Sequence, residues 1–295
     1  MQELEKCKIC PHNCGVNRLN GNIGRCKSNG NIKLAMASIH NFEEPCISGE
    51  NGSGTVFFSN CNMNCVFCQN YKISQQGLGR EISIEELAEI FIDEQNKNAE
   101  NINLVTPTHY IPLIKEGLIL AKKQGLTIPI VYNTSGYEKV SSLKSLEGLI
   151  DIYLPDFKYY NNLGKYSNVS NYYDIATKAI EEMYRQVGKP KYNNELLIKG
   201  LIVRHLVLPG HIEDSKKIIK YLYTKYHDNI ILSIMNQYTP IKELKYKELN
   251  RRVTVQEYNE LIDYAYDLGV RNCFTQEEES QSDSFIPNFK GDSII

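Results

Sequence analysis

Ser59-Asn60-Cys61-Asn62-Met63-Asn64-Cys65-Val66-Phe67-Cys68-Gln69-Asn70 follows directly on the apolar run Thr55-Val56-Phe57-Phe58. Its three cysteines are spaced C-x3-C-x2-C. The loop reads as the holder of a [4Fe-4S] cluster, whose four irons usually take four protein thiolates. Three ligands leave one iron open to a small ligand, which a reactive centre needs and a purely structural one does not. Two other readings compete. Free cysteines are often buried as small hydrophobes, but cysteines spaced by asparagines do not form a core stripe. Zinc needs a fourth ligand, and no His or Cys follows closely.

Outward from this loop, strand-like apolar runs recur at 55–58, 102–105, 128–132, 149–154, 199–208 and 230–235. Helical patterns lie between them, near 83–98, 111–124, 137–146, 172–187 and 213–226, with another near 254–268. Ser83-Ile84-Glu85-Glu86 and Thr254-Val255-Gln256-Glu257 are capping boxes, which satisfy orphan N–H groups at helix starts. Alternating strands and helices imply parallel pairing with right-handed crossovers. The expected fold class is α/β, a partial (β/α)6 barrel over 55–276, with Val270–Phe274 as a short last strand. A doubly wound sheet is the alternative from the pattern alone. Residues 31–54 read as a connector, although Ile32, Leu34 and Met36 alternate as in a strand. The tail 277–295 is rich in Glu, Ser and Asp and reads as solvated, with Phe285–Phe289 as an apolar segment able to dock.

The chain has 295 residues, 42% hydrophobic, enough for one large domain, and its formal net charge of −2 offers no case for nucleic acid as the main partner. No apolar run approaches bilayer length, and the charged start shows no secretory signal. Nine cysteines without such a signal point to a reducing, cytoplasmic setting and to metal rather than disulfides. Cys7, Cys10, Cys14 and Cys26 gather in a glycine-rich segment, 1–30, too short to build its own core. Four thiolates suit zinc, or else an auxiliary iron–sulfur centre, and such a metal would supply folding energy. His12 reads as a solvent-exposed neighbour. Lys6, Lys8, Arg18, Arg25, Lys27 and Lys33 read as a solvated basic face. Cys273 reads as buried and inert, while Cys46, in a turn, stays unassigned.

The loop and its flanks resemble the radical S-adenosylmethionine (SAM) superfamily, whose hallmark is this cysteine spacing with an aromatic residue, here Phe67, before the last cysteine. More narrowly, Cys10-Pro11-His12-Asn13-Cys14, Glu43-Glu44-Pro45-Cys46-Ile47-Ser48-Gly49 and Gly52–Phe58 resemble the PflX-type branch, proteins like pyruvate formate-lyase activating enzymes. The resemblance covers most of the chain and favours the partial barrel. It implies SAM bound to the open iron of the [4Fe-4S] cluster and cleaved reductively to a 5′-deoxyadenosyl radical. That radical takes hydrogen from a protein, peptide or small-molecule substrate, of which a glycyl radical enzyme is one. The electron comes from a donor such as flavodoxin or ferredoxin.

Reactive residues of parallel barrels sit at the C-terminal strand ends, and here those ends are polar: Thr106-Pro107-Thr108-His109, Asn133-Thr134-Ser135, Pro155-Asp156-Phe157-Lys158, and Arg204-His205 within the fifth run. The resemblance makes Thr106, Thr108, His109, Asn133, Ser135, Asp156, Lys158 and Arg204 SAM contacts. One departure stands out: activating enzymes carry a Gly-Gly-Glu-like motif after the second strand, where this chain has Val105-Thr106-Pro107-Thr108-His109. Asp156 and Lys158, two apart, face one side of a strand, and Arg204, in an apolar strand, needs an anionic partner.

Overall fold

The computed structural model describes residues 2–276. Its strands are β1 (Ile32–His40), β2 (Ser53–Phe58), β3 (Arg80–Ile82), β4 (Ile102–Val105), β5 (Ile130–Thr134), β6 (Ile152–Pro155), β7 (Lys191–Asn193), β8 (Leu196–Leu206), β9 (Ile231–Met235) and β10 (Cys273–Phe274). They form one open sheet in the order β10-β9-β8-β6-β5-β4-β2-β1-β3, with β7 paired to β8 as a hairpin. From β2 to β10 every neighbouring pair in that order is parallel. The parallel strands run in chain order without a reversal point, so the sheet is a partial barrel and not doubly wound. The apolar tail segment Phe285–Phe289 lies outside the described residues.

Strands buried on both faces explain the nearly continuous apolar runs; β2, β4, β5 and β6 are buried along their whole length. One face, with Tyr132, Tyr153, Leu201, Val203 and Leu232, packs against the crossover helices. The other face carries Val131, Ile152, Leu154, Ile202 and Ile231, which meet Cys46 and Ile47 of the four-residue helix Pro45–Ser48. That helix closes the end at which the strands begin. The Asn101 side chain, just before β4, donates to the Ile47 carbonyl at 2.8 Å. Period-two geometry then fixes the next inward layer. Asn133 follows Val131, Asp156 follows Leu154, and Arg204 follows Ile202, so the polar residues stand above an apolar floor.

Segment 31–54 contributes β1, which pairs antiparallel with β2 and carries β3 on its outer side. The expected helix near 137–146 is only Val140–Lys144. Gly136, at φ +74°, turns the chain, and the Glu138 N–H bonds the Gly136 carbonyl at 3.0 Å. A Cβ at Gly136 would stand 2.4 Å from the Asp156 carbonyl oxygen, so only glycine fits. Both expected capping boxes are formed, Ser83 with Glu86 and Thr254 with Glu257. Among the described residues no helix is long and apolar enough to cross a membrane. Removing the second cap tests the helix Val255–Leu268: Thr254→Ala should lower the unfolding free energy by about 1 kcal/mol in urea titration.

Candidate active site

The cluster loop leaves β2 at its C-terminal end and is tied down on every side. The Ser59 N–H bonds the Lys33 carbonyl (2.8 Å), the Asn60 N–H that of Ile73 (2.8 Å), and the Val66 N–H that of Tyr166 (2.8 Å). The Asn62 amide donates to the Tyr137 carbonyl at 2.9 Å, and the Gln75 amide to the Cys65 carbonyl at 2.7 Å. Phe67 packs edge-on against Tyr238, with centroids 5.7 Å apart. Cys61, Cys65 and Cys68 line one cavity of about 260 Å³ together with Phe67, Thr106, Asn133, Ser135, Asp156, Lys158 and Arg204.

The sulfurs are already in polar company. Cys61 Sγ accepts the Met63 N–H at 3.3 Å, Cys65 Sγ lies 2.9 Å from Ser167 Oγ, and Cys68 Sγ lies 3.2 Å from Ser74 Oγ. Burial pushes all three thiols up, Cys65 to about 11, against the pull of the Lys158 ammonium. Thiolates this deep require positive charge beside them, which the irons of a cluster provide. The donor set fits that group. Two buried hydroxyls lining the cavity, Ser135 Oγ and Thr239 Oγ1, have no protein hydrogen-bond partner and are open to a polar ligand beside it.

A charge network faces the cysteines. Asp156 takes Lys158 Nζ at 2.6 Å and Arg204 Nε at 3.0 Å on its two oxygens. Arg204 also donates to Asn133 Oδ1 (2.6 Å) and lies 3.5 Å from Glu43 Oε2. Burial opposes ionisation of Asp156, but Lys158 and Arg204 outweigh it and hold the carboxyl below its usual range. Burial likewise pushes Lys158 down, and Asp156 with Cys65 more than restores it. Glu43 is pushed up to about 7 by burial, against Arg204. The Tyr172 hydroxyl accepts the Lys158 N–H (3.0 Å) and donates toward the Ser135 and Asp156 carbonyls (2.8 Å each), fixing two strand ends together. Thr106 holds φ +62°, a rare conformation for a β-branched residue, with its N–H on the Asn133 carbonyl at 2.9 Å.

Thr108 and His109 are not among the cavity's lining residues. Thr108 donates to Glu138 at 2.5 Å, and Thr134 bonds the same carboxylate oxygen. His109 is buried with Nε2 on the Ser59 carbonyl at 2.9 Å, and burial drives its pKa down to about 3. Both residues support the strand ends from behind. His205 does the same between the Phe157 carbonyl and Ser215 Oγ, at 2.8 Å each. Residues that reach the site without a sequence reading are Glu43, Ser74 and Thr239, which line the cavity, and Ser167, which touches Cys65. The Glu43-Glu44-Pro45 motif was visible, but nothing local showed that it enters the barrel.

In the N-terminal unit, Cys7, Cys10 and Cys26 are buried and Cys14 is exposed. Burial pushes Cys10 up to about 12, and the charges of Cys26, Cys14 and Cys7 act in the same direction. The Arg25 N–H bonds Cys14 Sγ at 3.3 Å, and a Cβ at Gly24 would crowd Cys14 at 3.0 Å. Among the described residues, no three His, Cys, Asp or Glu side chains converge tightly enough to hold one metal ion. His12 is half-buried rather than exposed, its Nε2 2.7 Å from the Asn62 carbonyl oxygen of the cluster loop. Arg18 is not part of a solvated face: it is buried, donating to the Asn29 and His109 carbonyls at 2.8 and 2.6 Å.

Residues 55–222 match the family model described as the Radical SAM superfamily. An uncharacterised protein of Methanocaldococcus jannaschii, MJ0674, is 34% identical over 280 residues, covering 89% of this chain and 75% of that one. Among solved structures, a mutant of spore photoproduct lyase aligns over 81% of this chain and 79% of its own, with a TM-score of 0.51 and 13% identity, a likeness of fold alone. Streptococcus suis SuiB bound to S-adenosylmethionine aligns over 74% of this chain with a TM-score of 0.47 and 13% identity; the alignment covers 48% of SuiB.

Glu138 offers a pH test of this architecture. Burial raises its carboxyl to about 7 from 4.5, against hydrogen bonds from Thr108 and Thr134. Between those values the folded chain holds a proton that the unfolded chain has released, so this group costs stability as pH rises. The stability of wild type minus that of Glu138→Gln, from urea titrations, should fall between pH 4.5 and 7. A flat difference contradicts the burial of that carboxylate.

Proposed function

The chain belongs to the radical SAM superfamily, and from that premise we propose that it cleaves SAM reductively at a cluster held by Cys61, Cys65 and Cys68 and takes hydrogen from a substrate C–H. The observation that carries this reading is the meeting of three half-buried thiols and the Asp156–Lys158–Arg204 network on one cavity. When bound, the cluster supplies an electron and SAM supplies the 5′-deoxyadenosyl radical that abstracts hydrogen. The protein's own part is positioning.

Asp156 holds Lys158 and Arg204 in place, and the two cations receive SAM's carboxylate. Asn133 spends its carbonyl oxygen on Arg204 and keeps its amide N–H pair for the ligand. The unpartnered hydroxyls of Ser135 and Thr239 complete the donors, Thr106 presents the end of β4, and Phe67 against Tyr238 keeps water from the loop. Hydrogen abstraction needs no general base. The substrate is a protein, peptide or small molecule with an accessible C–H. A glycyl radical enzyme is the instance implied by the PflX-type resemblance, which rests on the Cys10–Cys14, Glu43–Gly49 and Gly52–Phe58 motifs. For the four N-terminal cysteines the proposed occupant is zinc or an auxiliary cluster, a reading that rests on their four-thiol chemistry alone.

Reconstituted anaerobically with iron and sulfide and given SAM and dithionite, the wild type should form 5′-deoxyadenosine, while Cys65→Ala forms only background. No product from the wild type, or equal product from the variant, contradicts the reading. Lys158→Ala should bind SAM about tenfold more weakly by equilibrium dialysis, through loss of a charge-assisted contact. Anaerobic metal analysis reads the N-terminal unit: about four irons and one zinc mark a structural site, and about eight irons an auxiliary cluster.

A further inference from the structure

The cluster loop is reached from a second direction. Cys61 and Ser74 line the main cavity and also a smaller surface cleft, together with Arg25, Cys26, Lys27 and Asn64. The cleft therefore touches one thiol of each cysteine set. Its charged lining residues are Arg25 and Lys27, both exposed, and none of its lining residues is acidic. Both cations are held by backbone carbonyls rather than carboxylates: Arg25 by Asn168 at 2.8 Å and Lys27 by Gln75 at 3.2 Å. Lys27 also faces the adjoining hollow with Lys33, where Glu81 is already engaged by Asn29 and Asn31. Exposed Lys165 adds charge nearby, two residues from the Ser167 that touches Cys65. None of the cleft's lining residues is aromatic, so it lacks the stacking platform of a single-stranded nucleic acid site.

We propose that this cleft docks a small acidic one-electron carrier protein, with Arg25 and Lys27 of the N-terminal unit as its electrostatic contacts. The inference rests on the proposed radical SAM reading and adds where the reductant binds. In the step, the carrier is oxidised by one electron, the centre on Cys61, Cys65 and Cys68 is reduced by one, and no atom moves. The N-terminal unit then has a functional reason to be fastened to the loop through His12 and Asn62.

The test titrates an acidic flavodoxin into the iron-loaded protein and reads binding by calorimetry. Opposed charges at an exposed contact predict affinity that weakens steeply from about 50 mM to about 300 mM salt. The double substitution Arg25→Glu with Lys27→Glu should weaken binding about tenfold or more at low salt. Its circular dichroism and thermal unfolding should match wild type, which separates lost docking from lost folding. Lys122→Glu with Lys123→Glu, on a distant helix, should leave binding unchanged. Salt-independent binding by wild type overturns the proposal on its own, whatever the variants do. Equal loss in the distant variant, or tighter charge-sensitive binding of a single-stranded oligonucleotide at the cleft, overturns it too. Absent dithionite-driven product in wild type is a separate failure, that of the radical SAM reading.

Discussion

The carboxylate of Asp156 is the point on which the site depends. It binds Lys158 on one oxygen and Arg204 on the other, and Arg204 reaches on to Asn133 and Glu43. Neither cation is tolerable at such depth alone. Without the carboxylate, Lys158 would stand unpaired over an apolar floor and Arg204 would keep only its longer contact with Glu43. With it, residues from the ends of β5, β6 and β8 are held in one frame facing the cysteines. The backbone repeats the link, since the Phe157 N–H bonds the Arg204 carbonyl at 2.7 Å. The floor helix Pro45–Ser48 completes the arrangement by closing the barrel beneath and carrying Glu43 to the guanidinium.

Much of this was written into the chain locally. C-x3-C-x2-C after an apolar run, polar residues at successive strand ends, and two capping boxes are short-range patterns: both boxes form, and the three cysteines line one cavity with Thr106, Asn133, Ser135, Asp156, Lys158 and Arg204. Asp156 and Lys158 meet as their spacing of two implies, and the partner that Arg204 needed is Asp156. The less legible parts are long-range. Pro45–Ser48 is too short to show a helical period, and its packing partners lie some 85 to 185 residues later in the chain. Thr108 and His109 are polar and follow a strand, so they read as cavity residues. The chain instead turns at Thr106 and sends them to Glu138 and Ser59. The sequence reading of Arg18 as a surface charge failed because its acceptors are backbone carbonyls, which no side-chain pattern reveals.

The two cysteine sets are mechanically joined although they lie far apart in the sequence. His12 holds the Asn62 carbonyl of the cluster loop, Arg25 holds Asn168 beside Ser167, and Arg18 holds the backbone behind β4. Binding a metal in residues 7–26 would therefore stiffen the same loop that carries Cys61, Cys65 and Cys68. A reactive centre with one open iron gains from this, because its ligand has to be held within reach of a substrate by a loop that does not move.

The central claim is that Cys61, Cys65 and Cys68 leave an iron free for SAM, and that Lys158 and Arg204 hold the ligand there. The direct measurement is low-temperature EPR of the reduced, reconstituted protein with and without SAM. A signal whose shape and g-values change on adding SAM agrees with the account. A signal that SAM leaves unaltered, with the cluster intact, contradicts it.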